Sequence, residues 1–255
     1  MLKKRLIFTL LYADGFFHLS RNFRLQRIGD ARWLSENYGF ADISEAIDEL
    51  IILDVQRDGR DRKTFLQSVA SVSEGFFAPI ALGGGISSVE DAQELLEFGA
   101  EKVVVNSALV EAPECIDGII RQFGAQSLVA AIDYRPGNGS EPRSFIDCGR
   151  KQGLELSKHF ELALDLGVGE LYLNSIARDG TGQGLDVAVL DRVPATAQLP
   201  IILSAGAGKW THLQEALSHD RVDAVATANL LNFVGNGLPE ARRLLLEGGT
   251  PLARW

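Results

Sequence analysis

Cysteine is scarce in this chain. Only Cys115 and Cys148 occur, far apart and with no second cysteine near either. That spacing excludes a disulfide framework and a cysteine-based zinc site, and it predicts a reducing compartment. Four histidines (His18, His159, His212 and His219) show no metal-ligand spacing. They are expected at the surface or in loops, and no metal or organic cofactor is expected. Positive charge is also in deficit, with 25 Lys and Arg against 34 Asp and Glu, a net charge of −9. A deficit of this size excludes a broadly basic surface and with it charge-driven binding of nucleic acid or an anionic membrane. It does not exclude a small anionic substrate held by a local site. Long apolar runs are missing too, since no stretch approaches the roughly 18–20 residues that cross a bilayer. The run Leu6 to Ala13 follows Lys3-Lys4-Arg5 and superficially resembles a leader. It ends at Asp14-Gly15 without a small-residue cleavage site, so it reads as a first buried strand, and a cytoplasmic protein is expected.

What is present is an alternation. Short β-rich apolar runs are predicted as strands over Arg5–Leu11, Glu49–Asp54, Pro79–Leu82, Lys102–Asn106, Ser127–Asp133, Glu170–Ser175, Pro200–Ser204 and Asp223–Thr227. Amphipathic segments between them, such as Ser88–Phe98, Pro113–Phe123, Ser157–Leu166 and His212–Ser218, are predicted as helices. Nearly continuous apolar strands mean burial on both faces and hence a parallel sheet. Eight of them with helical crossovers predict an α/β fold, a single (β/α)8 TIM barrel domain over residues 1–255; an open doubly wound sheet is the rival. A repeat favours the barrel. Glu49-Leu50-Ile51-Ile52-Leu53 with Arg57-Asp58-Gly59 recurs 121 positions later as Glu170-Leu171-Tyr172-Leu173-Asn174 with Arg178-Asp179-Gly180. Leu82-Gly83-Gly84-Gly85 and Leu203-Ser204-Ala205-Gly206 are separated by the same interval, as are Asn106-Ser107 and Thr227-Ala228. Two homologous half-barrels are therefore expected.

In such barrels functional groups gather at the carboxyl ends of the strands. Gly83-Gly84-Gly85 leaves a strand and precedes a helix that opens at Ser87-Ser88. Backbone N–H groups there could cradle an anion, with the helix start adding partial positive charge; a tight turn would demand glycine equally. The repeat partner Ala205-Gly206-Ala207-Gly208 has the same character. Two such cradles on one mouth suit a substrate with two phosphates or other anionic groups.

Arg5-Leu6-Ile7, Asp48-Glu49-Leu50, Gly83-Gly84-Gly85-Ile86, Lys102 with Asn106-Ser107, Ala131-Ile132-Asp133, and Ser175 through Thr181 fall in order along the chain. Together they resemble the cyclase subunit of imidazole glycerol phosphate synthase over nearly the whole length. The resemblance implies a barrel paired as a heterodimer with a glutaminase subunit, whose ammonia travels through the barrel to the mouth. It also implies two catalytic aspartates at the ends of strands one and five, acting as general base and acid. Asp133 occupies the strand-five position, but the strand-one position is Leu11, which cannot exchange a proton. Asp14 nearby reads as a turn residue. Leu19 stands at a lysine position of the covering loop, with Arg21 the one alternative cation.

The resemblance further implies phosphate or anion contacts at Gly84, Gly85, Asn106, Ser107, Asp179, Gly180, Gly206, Ala228 and Asn229. Ala205 replaces a usual glycine, Asn229 a serine and Asn232 a histidine. At the opposite end, Arg5, Glu49, Lys102 and Glu170 match the family's ammonia gate, all four intact. A salt-bridged plug that merely closes the barrel is the plainer reading of the same quartet. An intact gate beside a lost aspartate resembles a paralogous branch linked to glycosyl amidation. There the barrel and a glutaminase supply ammonia to a separate sugar amidotransferase in surface-polysaccharide or nonulosonate synthesis. Three functions are therefore carried forward: an ammonia-conducting subunit for sugar amidation, a lyase-cyclase of histidine biosynthesis using Asp133, and a non-catalytic scaffold that regulates a glutaminase.

Overall fold

The computed structural model describes residues 3–38, 43–137, 141–228 and 237–253. Eight parallel strands close into a barrel: β1 (Arg5–Ala13), β4 (Glu49–Asp54), β5 (Ile80–Gly83), β6 (Lys102–Val105), β7 (Leu128–Arg135), β10 (Glu170–Ser175), β11 (Ile201–Ser204) and β12 (Ala224–Thr227). β12 pairs with β1, and β7 with β10, so no parallel edge is left open. Helices cover the outside: α1 (Ala31–Tyr38), α2 (Arg62–Val72), α3 (Val89–Glu97), α4 (Ser107–Glu111), α5 (Pro113–Phe123), α6 (Leu156–Asp165), α7 (Trp210–Leu217) and α8 (Gly237–Glu247). No described helix is long and apolar enough to cross a membrane. The open-sheet alternative is excluded by the closure.

Alternation along each strand produces two separate cores. Leu6, Phe8 and Leu10 point outward under the helices, whereas Ile7, with Ile51, Val104, Val129, Tyr172 and Ile202, fills the barrel interior. Both faces are dry, which is why the strands read as unbroken apolar runs. A buried ion pair ties α8 to the barrel base. Arg242 donates to both carboxylate oxygens of Asp48 at 3.0 Å, and Asp48 also accepts the Leu6 N–H at 2.7 Å.

Two antiparallel hairpins extend the barrel beyond the expected strands. β1 runs past Leu11 to Ala13, turns at Asp14-Gly15 with both residues at positive φ, and returns as β2 (Phe16–Arg21) and β3 (Arg24–Gly29). Periodicity failed to signal β3 because four of its six residues are exposed, leaving no apolar face. The second hairpin joins β7 to β8 (Arg143–Ile146) and β9 (Lys151–Glu155). In the stretch 137–142, expected as a loop, residues 138–140 lie outside the described residues. One histidine corrects its expected placement. His159 sits on α6 with no exposure, among apolar neighbours, and burial lowers its pKa to about 4.

The positions 121 apart carry the same backbone geometry. Glu49 and Glu170 both open strands, and Gly83 and Ser204 both close them. Gly84 and Ala205 follow at φ 108° and 74°, then Gly85 and Gly206 at 64° and 93°. A Cβ at Gly84 would lie 2.1 Å from the Asp54 carbonyl oxygen, and one at Gly206 2.2 Å from that of Gly184. Each glycine therefore lets one strand-end turn press against its neighbour, a packing role that exists before any ligand binds. Ala205 holds the left-handed conformation with a side chain, at a strain cost of about 1 kcal/mol.

Candidate functional site

Inward-facing side chains form a column from the base of the barrel to its mouth. At the base, Arg5, Glu49, Lys102 and Glu170 close into a ring of alternating sign. Arg5 donates to Glu49 at 2.7 Å and also to Glu170; Lys102 lies 3.1 Å from Glu49 and 2.9 Å from Glu170. Both glutamates are nearly buried. Burial pulls the Arg5 pKa down, but Glu170 and Glu49 outweigh it and hold the guanidinium above its ordinary range. Mutual pairing is what makes four charges tolerable in this position. The quartet expected from the sequence is thus one connected structure.

Above the ring the column turns apolar, with Ile7, Ile51, Val104 and Val129 interleaved with Ala81, Ala131, Ala224 and Ala226. A hydroxyl layer follows, in which Tyr172 Oη lies 2.7 Å from Ser204 Oγ and 3.4 Å from Thr9 Oγ1. The mouth opens beyond it as a cavity of about 810 Å³. Asp133, Leu11, Gly84, Gly85, Asn106, Ser107, Asp179, Gly180, Gly206 and Ala228 all line it. Asn229 and Asn232 lie outside the described residues.

Asp133 lies near the end of β7, between the buried Ile132 and Tyr134. Asn174 donates to its Oδ1 at 2.8 Å, and Asn106 reaches its Oδ2 at 3.4 Å. Burial raises its pKa to about 7, against the Asn174 hydrogen bond and with a contribution from the charge on Asp179. A carboxyl group poised there can give or take a proton near neutral pH. Across the barrel, Leu11 pairs in register with Leu53, and both are half-buried cavity walls with Leu19 beside them. That wall offers no proton and no charge.

Three expected contacts serve local structure. The amide of Asn106 donates to the Ala131 and Phe145 carbonyls at 3.0 and 3.3 Å, joining β6 to the second hairpin. Asp179 grips the first hairpin, accepting from Ser20 Oγ at 2.5 Å and from the Phe23 N–H at 2.9 Å, and burial raises its pKa. The start of α3 is also engaged. Asp91 accepts the Ser87 and Ser88 N–H groups in a capping box, so these donors are turned away from any ligand. The preceding turn differs, since the Gly84, Gly85 and Ile86 N–H groups donate to no acceptor among the described residues.

The sequence reading missed the side-chain cations of the mouth, Arg57, Arg60 and Lys151, and the cavity-lining Asp54 and Cys148. Arg57 and Arg60 stand in the loop after the second barrel strand, where chemistry is expected in this fold, and that position was the available signal. Among the described residues no group of three His, Cys, Asp or Glu side chains could hold a metal ion.

Residues 39–235 match the family model described as histidine biosynthesis protein. The chain is 48% identical over its whole length to a protein of Parasynechococcus marenigrum provisionally named imidazole glycerol phosphate synthase subunit hisF2, covering 95% of that protein. It is 36% identical to the imidazole glycerol phosphate synthase subunit HisF of Chloroherpeton thalassium, across 98% of each chain. The HisF subunit of Pyrobaculum aerophilum is 38% identical, over 88% of this chain and 87% of its own.

Proposed function

This chain belongs to the HisF family of imidazole glycerol phosphate synthase subunits, and from that premise we propose that it is the ammonia-accepting barrel subunit of a glutamine-dependent amidotransferase complex. The observation that carries the reading is the closed ring of Arg5, Glu49, Lys102 and Glu170 at one end of an interior column whose other end is the Asp133 cavity. A neutral ammonia molecule enters past the ring, moves between small and aliphatic side chains where water is disfavoured, and emerges beside the Tyr172 hydroxyl and Asp133. There Asp133, near half-ionised at neutral pH, exchanges protons with an anionic substrate held by the glycine turns of the mouth. A partner glutaminase docks at the base. Phe77, 91% exposed two residues before the Pro79 carbonyl that β4 engages, supplies an apolar contact at that end.

The names of the relatives favour imidazole glycerol phosphate formation as the reaction at the mouth. Leu11 favours a second reading. A two-carboxylate ring closure lacks its strand-one partner here, so the barrel passes ammonia on to a separate sugar amidotransferase. The shared claim is tested by immobilising the full chain and capturing a glutaminase from native lysate. Captured glutaminase should hydrolyse glutamine in step with product formation, and Arg5→Ala should lower the product formed per glutamine at least about tenfold while leaving capture intact. Capture of no glutaminase would overturn the reading.

A further inference from the structure

One side of the mouth holds two arginines whose guanidinium groups hydrogen-bond to no carboxylate among the described residues. In the loop between β4 and α2, Arg150 of the second hairpin binds Asp58 through both carboxylate oxygens at 3.1 and 3.0 Å and accounts for Asp147 as well, at 2.7 and 2.9 Å. Asp61 is turned the other way, capping α2 through the Thr64 N–H. The two arginines of the loop are thereby left without a hydrogen-bonded carboxylate among the described residues, Arg60 keeping only a long ion pair to Asp54. Arg57 has only a 3.4 Å contact to the Phe23 carbonyl among the described residues. Arg60 has a 4.0 Å approach to Asp54 and a 3.6 Å contact to the Cys148 sulfur. Both side chains line the cavity, and both bear on the same Asp147-Cys148 turn.

Arg60 also lies directly on the glycine turn. A Cβ at Gly85 would sit 2.7 Å from its Cδ and 3.2 Å from its Nε. Free backbone N–H groups at Gly84 to Ile86 and free guanidinium donors therefore adjoin, and the loop that carries them is fixed by Arg150. The two kinds of donor differ in what they match. Neutral N–H groups satisfy one phosphoryl group, whereas a guanidinium pair compensates further full negative charge with forked donors.

We infer that Arg57 and Arg60 form a side-chain anion subsite continuous with the Gly85 turn, which selects ligands bearing two neighbouring phosphoryl groups over a single phosphate monoester. The inference rests on the mouth being the ligand face, as proposed above, and adds the ligand class. Because the loop is held by Arg150 rather than by the two arginines, their removal leaves the fold in place.

Isothermal titration of the full chain with inorganic pyrophosphate and with inorganic phosphate tests it. Wild type should bind pyrophosphate at least about tenfold more tightly than phosphate, as expected for charge-assisted bonds. Arg57→Gln with Arg60→Gln should erase that preference, weakening pyrophosphate at least about tenfold more than phosphate. The single Arg57→Gln variant, at an exposed position, should lose part of the preference and guards against misfolding of the pair. A double variant that keeps the pyrophosphate preference would overturn the subsite and leave the mouth reading standing. Failure of wild type to bind either anion would overturn both.

Discussion

The two ends of the barrel handle charge in opposite ways. At the base, two cations and two anions satisfy one another in a closed ring, and Asp48 with Arg242 repeats the arrangement one layer out. At the mouth, among the described residues, Asp133 has amide partners but no paired cation, Arg57 and Arg60 hydrogen-bond to no carboxylate, and Leu11 contributes an apolar wall. A closed set of charges is a finished structure, stable without a ligand. An open set carries desolvation that a bound group can relieve, which is why perturbed titration concentrates there. The base is built to stay and the mouth to react.

The largest expected effects sharpen that contrast at the mouth. In a Leu11→Asp background, where a second carboxylate is restored, Asp133→Asn should lower ammonium-driven turnover about 10²–10⁴-fold. The parent's rate should titrate near pH 7. Burial raises the Asp133 pKa, so the protonated form persists to neutrality; a role as acid makes the rate fall above about pH 7, a role as base makes it fall below. A pH-independent rate would remove Asp133 from the chemistry. At the Asp48–Arg242 pair beside the base ring the expected effect is on stability alone. Asp48→Ala strands the buried Arg242 guanidinium and should cost about 3–5 kcal/mol in chemical denaturation, with phosphate affinity at the mouth unchanged in the folded protein. A loss below about 1 kcal/mol would show that the base is not held by closed charge pairs. The smallest effect addresses the two strand-end turns. Ala205→Gly relieves positive-φ strain and should leave stability within about 1 kcal/mol of the parent, the relief being offset by a freer unfolded chain. A large destabilisation would mean that the Ala205 methyl packs against something the turn geometry does not reveal.

Much of the barrel was legible because burial on both faces leaves an uninterrupted apolar signature in every strand. The base quartet was legible too, since each member opens a strand and the strands converge. Other features were hidden for stated physical reasons. β3 exposes most of its residues and so has no hydrophobic period. His159 is polar by name but packed as an apolar residue, and nothing local marks it. The helix start at Ser87-Ser88 read as part of an anion cradle, yet the Asp91 carboxylate takes the very N–H groups a ligand would need there. Asp179 and Asn106 were placed correctly at the mouth, but their partners lie on hairpins that the sequence pattern did not announce. Arg57 and Arg60 carry no sequence mark that separates them from the chain's other cations. Local pairing, which only the fold reveals, decides which of 25 cations remain available.

On the proposed reading, a family scaffold keeps its delivery end while its reactive end diverges. Leu11 sits in register with Leu53 inside the unbroken β1–β4 pairing, so an isobutyl group at this position is compatible with the closed barrel. What changes is the number of proton-transfer groups facing the substrate.

Ammonium-driven formation of imidazole glycerol phosphate from the phosphorylated ribulosyl aminoimidazole-carboxamide substrate, compared between the wild-type chain and Leu11→Asp, tests this contrast most directly. Leu11→Asp is expected to exceed wild type by at least about a hundredfold, since general acid–base groups contribute at that scale. Wild-type turnover equal to that of Leu11→Asp would contradict the claim that the mouth has lost half of its proton-transfer pair.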